Sequence, residues 1–285
     1  MKNLTPPQPG IYEDLIVYAL AEDMGWGDVT TDNLELPAGS IRAELITRED
    51  CVLAGWPIFV RTFLLVDESA MLDDFETQYE DGDEVPSGEV IARMFIPAAT
   101  LLKGERVALN FITHLSGIAT LTNHFVKKVG PGGPAISDTR KTIPGLRALQ
   151  KYAVRAGGGM NHRLSLSHAV MIKNNHIALA GGITSAIQQV KRGVGHMIKI
   201  EVEASNIDDV QEALSAGVDV IMLDNFSPEE AVEAVKLIDG RVTTEISGNI
   251  NANNISRYAI EGVDVISIGA LTHSPRSINM AILVS

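Results

Sequence analysis

Seven side chains supply most of the chemistry this chain can offer: the cations Arg140, Lys141, Arg163 and Lys173, the imidazole of His162, and the carboxylates Glu203 and Asp224. Arginine and lysine give charge-assisted hydrogen bonds to carboxylate and phosphate, so the cations suit a substrate with several negative charges. The two carboxylates suit either a hard divalent ion or the hydroxyls of a sugar. A phosphorylated sugar satisfies both sets. ISGN (246–249) and IGAL (268–271) place small residues after apolar runs, where backbone N–H groups can approach a phosphate near a helix start. For Ser247, Gly248 and Gly269 the alternative is plain turn chemistry.

The cations are not spread evenly. Residues 138–176 hold seven Lys or Arg, three His and the single acid Asp138, in a chain of 36 acidic and 23 basic residues with net charge −13. Arg147, Lys151 and Arg155, spaced i, i+4, i+8, read as a solvated helical face. The overall charge repels nucleic acid and anionic membranes, and 5% aromatic content gives few stacking platforms for bases. Zinc is disfavoured by the single Cys51 and the absence of HExxH. GGG at 157–159 matches neither the P-loop nor the dinucleotide fingerprint and reads as a flexible turn. His114, His124 and His196 read as structural or surface histidines. No apolar run reaches the ~18 residues of a membrane span. MKNLTPPQPG lacks a secretory h-region, so a cytoplasmic location is expected.

Something must hold these groups together, and the second half of the chain has the rhythm to do it. MIKIEVE (197–203), VDVIMLDN (218–225), RVTTEIS (241–247) and VDVISIG (263–269) are short Val/Ile-rich runs that read as buried strands. PAISDTR (134–140) and AVMIKNN (169–175) read as earlier members of the series. NIDDVQEALSAG (206–217), SPEEAVEAVKLIDG (227–240) and NANNISRYAIEG (251–262) read as the intervening helices, each with a capping residue at its start and a glycine near its end. Repeated βα units make a parallel barrel or a doubly wound sheet. The barrel is favoured because the candidate residues all fall where strands finish, and in a barrel those ends converge on one face. Earlier, residues 11–24 and 101–129 read as helices, and ITREDCVLAGWPI with the acidic DGDEVPSGEV reads as short strands and tight turns. The expected architecture is α/β: an N-terminal α/β sandwich domain over 1–112, a parallel barrel, complete or open, over 113–270 with the active site, and residues 271–285 returning to the first domain.

DTRKTIPGLRALQKYAVRAGGGMNHR (138–163) makes the reading more specific, because it resembles the quinolinate phosphoribosyltransferase family, the nicotinate-nucleotide pyrophosphorylases. The resemblance extends over nearly the whole chain through EDMGWGDVTT, LLKGERVALNFITHLSGIAT, MIKNNHI, IEVEASN, VIMLDNF, EISGNI and GVDVISIGALTHS, in order. It implies magnesium-dependent transfer of phosphoribosyl from phosphoribosyl pyrophosphate to quinolinate with decarboxylation, a pentosyltransferase step of NAD biosynthesis. It further implies that Arg140, His162, Arg163 and Lys173 grip quinolinate, with Arg106 reaching in from the second subunit of a homodimer; a hexamer is left open. Lys141, Glu203 and Asp224 are implied as catalytic, the two acids facing ribose and Mg2+. Ser247, Gly248, Asn249, Gly269 and His273 are implied at the phosphates. The chain departs from the family pattern at Ser165, where Gly is usual, at His168, where Asp is usual, and at Asn174 and Asn279, where acids are common. Those departures keep open a specialised or inactive paralogue that binds a pyridine or phosphosugar; of two rivals within the fold, a molybdenum-associated relative is opposed by Asn161–Arg163 and Lys173–His176, and a nicotinate phosphoribosyltransferase would not need so dense a cationic pocket.

Overall fold

The computed structural model describes residues 4–284. In chain order it runs α1 (Glu13–Met24), β1 (Ser40–Thr47), β2 (Cys51–Val52), α2 (Trp56–Val66), β3 (Phe75–Thr77), β4 (Glu84–Val85), β5 (Val90–Pro97) and α3 (Ala98–Val129). There follow β6 (Ala135–Ser137), α4 (Arg147–Ala156), β7 (Val170–Ile172), α5 (Asn174–Ala180), α6 (Ile183–Gly193), β8 (Ile200–Ala204), α7 (Ile207–Ala216) and β9 (Val220–Asp224). The chain finishes with α8 (Pro228–Ile238), β10 (Thr243–Ser247), β11 (Val265–Ser267), α9 (Ala270–His273) and β12 (Met280–Val284). No helix among the described residues is long and apolar enough to cross a membrane.

Two compact units result. The first comprises Met1–Asn123, Thr142–Gly158 and Thr272–Ser285. Its main sheet is antiparallel, in the order β12-β1-β5-β3. β1 alternates between exposed and buried side chains, so Ala43 and Leu45 enter the core while Glu44 and Arg93 of β5 pair outside it. α2 supplies Phe59 and Phe63 to that core, and α3 supplies Leu101, Leu109 and Ile112. α2 begins inside ITREDCVLAGWPI (46–58), which read as strands and turns, and continues to Val66. Gly55 and Trp56 at its start donate backbone N–H groups to Asp81 at 2.9 and 3.1 Å, and Tyr152 donates its hydroxyl to the same carboxylate at 2.6 Å. Asp81 thus caps α2 through space, a pairing that no local pattern encodes.

α4 corrects two expectations. Lys151 is buried at 1% exposure, because α4 also buries Leu149, Gln150, Tyr152, Ala153 and Val154 and has little solvent face. Arg147 donates to the Thr142 hydroxyl, and Arg155 lies over the Tyr152 ring and donates to the Thr5 carbonyl. Nor is Gly157 a flexible turn residue. A Cβ there would meet the Ala119 carbonyl oxygen at 2.3 Å, so the missing side chain is what lets the end of α4 approach α3.

The second unit comprises His124–Lys141 and Gly159–Leu271. Its six strands are parallel, in the order β6-β11-β10-β9-β8-β7. The first strand pairs with the last, as a barrel requires, and the sheet is open only between β6 and β7, where Met160 makes a single bridge to Ser137. α7 and α8 follow the sequence: Asn206 caps the first by accepting the Asp209 N–H at 3.0 Å, and Ser227 and Glu230 form a capping box on the second. NANNISRYAIEG does not form the expected helix and has only a 3-10 turn at Ile255–Arg257. Asn251 accepts the Asn253 N–H at 2.9 Å and Asn254 accepts the Asn251 N–H at 2.8 Å, so the asparagine side chains close on one another as local turns.

Candidate active site

Strand register builds the site. Met171, Glu201, Val220 and Thr243 lie in line across β7 to β10; one layer on come Glu203, Met222, Glu245, Val265 and Ala135. A third layer holds Asp224, Ser247, Ser267 and Ser137. Because side chains alternate along a strand, these residues share one face, whereas Val202, Ala204, Ile221, Leu223, Ile246 and Ile266 occupy the other. The first face therefore carries the acids and serines among apolar residues, and the other is aliphatic apart from Thr244. Lys173, two residues beyond Met171, falls beside Glu203, and the two form an ion pair.

The NHR segment meets this polar face. Asp138, fully buried, accepts from Asn161 Nδ2 at 2.6 Å and from the His162 backbone N–H at 2.9 Å. Asp138→Ala would leave two donors without an acceptor, and about 3 kcal/mol of stability is expected to be lost, read by urea unfolding against wild type. Arg163 is buried at 8% exposure and donates from Nη1 to the Ala169 carbonyl at 2.9 Å. Burial and then the charge of Arg140 hold the Arg163 pKa below the usual guanidinium value, with Glu201 and Glu203 opposing. Two guanidiniums close enough to repel one another make a place where an anion is favoured. Among the described residues, Arg140 Nε is itself buried with no hydrogen-bond partner.

Beneath them sit His162, Glu201 and Glu245, whose ligating atoms all lie within 4.8 Å of one another. His162 Nε2 is 3.0 Å from Glu201 Oε2 and 3.6 Å from Glu245 Oε1. Its Nδ1 accepts the Arg163 backbone N–H at 2.7 Å, so the proton of the neutral ring belongs on Nε2, facing the acids. Such a ring donates where a metal ligand would have to offer a lone pair, and this group is not built for a cation. Burial and then the Glu201 charge raise the Glu245 pKa from its ordinary 4.5 to about 7. A proton held more tightly in the folded state stabilises fully below pH 4.5 and is lost as pH rises towards about 7. Wild-type stability measured against Glu245→Gln should therefore fall over that window and level off above it; a constant difference between pH 4.5 and 8 would contradict the raised pKa.

At the top of the sheet the turns after β9 and β10 interlock. Asn225 and Asn249 both adopt positive φ, at 59° and 53°, and Asn249 Nδ2 donates to Asn225 Oδ1 at 3.0 Å. A Cβ on Gly248, with φ at 103°, would meet that same Asn225 oxygen at 2.3 Å. Asp224 is half-buried at the end of β9. Lys141 is exposed, its backbone N–H held by the Thr139 hydroxyl at 3.0 Å. Gly269 directly precedes α9. Two sequence candidates belong to the other unit: Arg106, exposed on α3, and His273, whose Nδ1 meets the Ser274 hydroxyl at 2.6 Å. Of the departures, His168 accepts the Leu164 N–H through Nδ1 at 3.1 Å, an acceptor's task that an aspartate could also perform. Ser165 pairs with the Ser167 hydroxyl at 2.8 Å, and Asn174 accepts from Ser205 at 3.4 Å. Asn279 holds Glu49 only through its backbone N–H.

Glu201 and Asn225 were not singled out from the sequence; Glu245 was read only as one of the strand-end residues and Asn161 only as part of the NHR pattern. The alternation of acids in IEVE was the available signal for Glu201, and Asp138, noted in the sequence as the lone acid of a cationic segment, is the acceptor that anchors Asn161 and His162.

Comparison with known proteins agrees with this geometry. Residues 28–116 match the family model described as the N-terminal domain of quinolinate phosphoribosyl transferase, and residues 118–283 match its C-terminal domain. A Bacillus subtilis protein described as a probable nicotinate-nucleotide pyrophosphorylase (carboxylating) is 42% identical over 95% of this chain and 92% of its own length. A Nicotiana tabacum protein described as a mitochondrial quinolinate phosphoribosyltransferase (decarboxylating) is 36% identical over 99% of this chain and 85% of its own. The crystal structure of NadC from Streptococcus pyogenes superposes with a TM-score of 0.93 at 40% identity, covering 99% of both chains.

Proposed function

The chain belongs to the quinolinate phosphoribosyltransferase family, and we propose that it transfers phosphoribosyl from phosphoribosyl pyrophosphate to quinolinate, releasing pyrophosphate and carbon dioxide and leaving nicotinate mononucleotide. The observation that carries this reading is the buried Arg163 beside Arg140, with Lys173 on the same polar face as Glu203. Two guanidiniums and an ammonium exceed what one carboxylate needs and suit the two carboxylates of a pyridine dicarboxylate.

In this reading Arg140, Arg163 and Lys173, with His162 beside them, fix the pyridine so that its ring nitrogen faces the anomeric carbon. The C–N bond forms as the C–O bond to pyrophosphate breaks, and positive charge develops on the ribose ring. Glu203 and Asp224 are placed to stabilise that charge. Once the nitrogen is quaternary, the ring accepts the electron pair left at C2 when the adjacent carboxylate departs as carbon dioxide, and C2 takes up a proton.

Magnesium suits Glu203 and Asp224. Both offer oxygen to a hard ion, and Asp224 has no side-chain hydrogen bond among the described residues. When bound, the ion would supply Lewis-acid neutralisation of the pyrophosphate. Ser247, Gly248, Asn249 and Gly269, on the small-residue turns after β10 and β11, take the 5′-phosphate, with His273 assigned to the phosphates as well. Arg106, exposed and without a side-chain partner among the described residues, serves the active site of a second copy in a homodimer. The unpaired Cys51 suits a reducing compartment, the cytoplasm.

The direct test mixes purified protein with magnesium, phosphoribosyl pyrophosphate and either quinolinate or nicotinate. Nicotinate mononucleotide with stoichiometric carbon dioxide from quinolinate alone is the expected result. Product from nicotinate alone would transfer the assignment to a nicotinate phosphoribosyltransferase. Binding of both ligands without turnover would make the chain a sensor.

A further inference from the structure

Resting on that reading of the substrate, we propose that Glu201 and Glu245 are positioning residues for the pyridine dicarboxylate, acting through His162 to aim Arg163. The argument begins with the ring. Both nitrogens of His162 are engaged inside the protein: Nε2 faces the two acids, and Nδ1 takes the Arg163 backbone N–H at 2.7 Å. A neutral imidazole donates from one nitrogen and accepts at the other, so whatever fixes the proton on Nε2 also makes Nδ1 an acceptor. Glu201 and Glu245 do this, because carboxylates placed at one nitrogen attract its proton there.

The consequence falls on the next residue. Arg163 is fixed at its backbone by His162 and at its guanidinium by the Ala169 carbonyl, while Asp138 anchors His162 and Asn161 from the other side. Arginine is a planar fork, and its value in gripping a carboxylate depends on orientation as well as charge. Were the tautomer reversed, two N–H groups would oppose each other between His162 Nδ1 and Arg163 N, and the segment would have to shift. Both acids are buried, and neither Glu201 Oε1 nor Glu245 Oε1, the latter 3.6 Å from His162 Nε2, has a hydrogen-bond partner among the described residues. Burying two such carboxylates is costly, and holding the histidine accounts for that cost where packing alone does not.

Two measurements test the proposal. Nitrogen-15 imidazole spectra, with His162 assigned by comparison with His162→Gln, should show the Nε2–H tautomer in the wild-type protein. An Nδ1–H tautomer overturns the proposal, since it would free Nε2 for another partner such as a metal ion. In steady-state kinetics, Glu201→Leu should raise the quinolinate KM about tenfold, a change within the range for a misplaced contact group, while the phosphoribosyl pyrophosphate KM moves less than about threefold. Glu201→Gln keeps a carbonyl acceptor and should bring the quinolinate KM back to within about threefold of wild type. Equal rises in both KM values, or an unchanged quinolinate KM in folded Glu201→Leu, would overturn the assignment. The tautomer is read without substrate, so a chain inert toward quinolinate would sink the functional reading while the spectra still decide this one.

Discussion

Glu203→Ala is expected to lower kcat at least ~100-fold with both substrates saturating, the scale seen when one preorganised electrostatic contact is removed. Two effects combine. The carboxylate proposed to face the developing ribose cation disappears, and Lys173 loses its ion-pair partner. Glu203 is buried at 8% exposure on β8, so its charge acts where water screens little. Glu203→Gln separates the two contributions, because it keeps the shape and a hydrogen-bond acceptor while removing the charge. If the charge is what matters, Gln should be nearly as slow as Ala. A near-normal rate in Glu203→Ala would remove this residue from the site.

Lys141→Ala should also lose at least ~100-fold in kcat, with thermal stability unchanged. Its position explains the asymmetry. Lys141 follows β6 on a turn whose backbone is fixed by the Thr139 hydroxyl, yet the residue itself is exposed. An ammonium on a flexible stem can follow charge as it moves onto the leaving group, which the buried Arg163 cannot do. Lys141→Arg should therefore restore only part of the rate, since a planar fork on a longer arm does not place a point charge at the same spot. Single-turnover rates with pyrophosphate release as the readout would check this, and full activity in Lys141→Ala would take the residue out of catalysis.

The sequence carries some of this chemistry openly. Short Val/Ile runs ending in charged or small residues announce parallel strands whose ends bear the site, because strands covered on both faces are largely apolar and a polar group stands out against them. Helices α7 and α8 were legible from their caps, a local matter of side chain to backbone N–H. The same locality misled at NANNISRYAIEG, where asparagines that resemble caps close on one another as turns. Lys151 misled for the opposite reason: spacing along α4 says which residues share a face, and only packing says that hardly any face is left to solvent.

By itself, then, the sequence determined the residue types, their order at the strand ends and the class of ligand they suit. These are properties of single strands and of charge, which local periodicity and composition express. Tertiary structure alone decided which acids stand together. A period of two places Glu201 and Glu203 on one face of β8, but only the register across β9 brings Glu245 level with Glu203, and only the pairing of β7 with β8 sets Lys173 beside Glu203. It alone decided how His162 is protonated, since a tautomer is fixed by partners at hydrogen-bonding distance from both ring nitrogens: the adjacent backbone on one side, and on the other acids 39 and 83 residues further along the chain. Contacts of that reach depend on ångström-scale placement, and no spacing rule along a chain contains it.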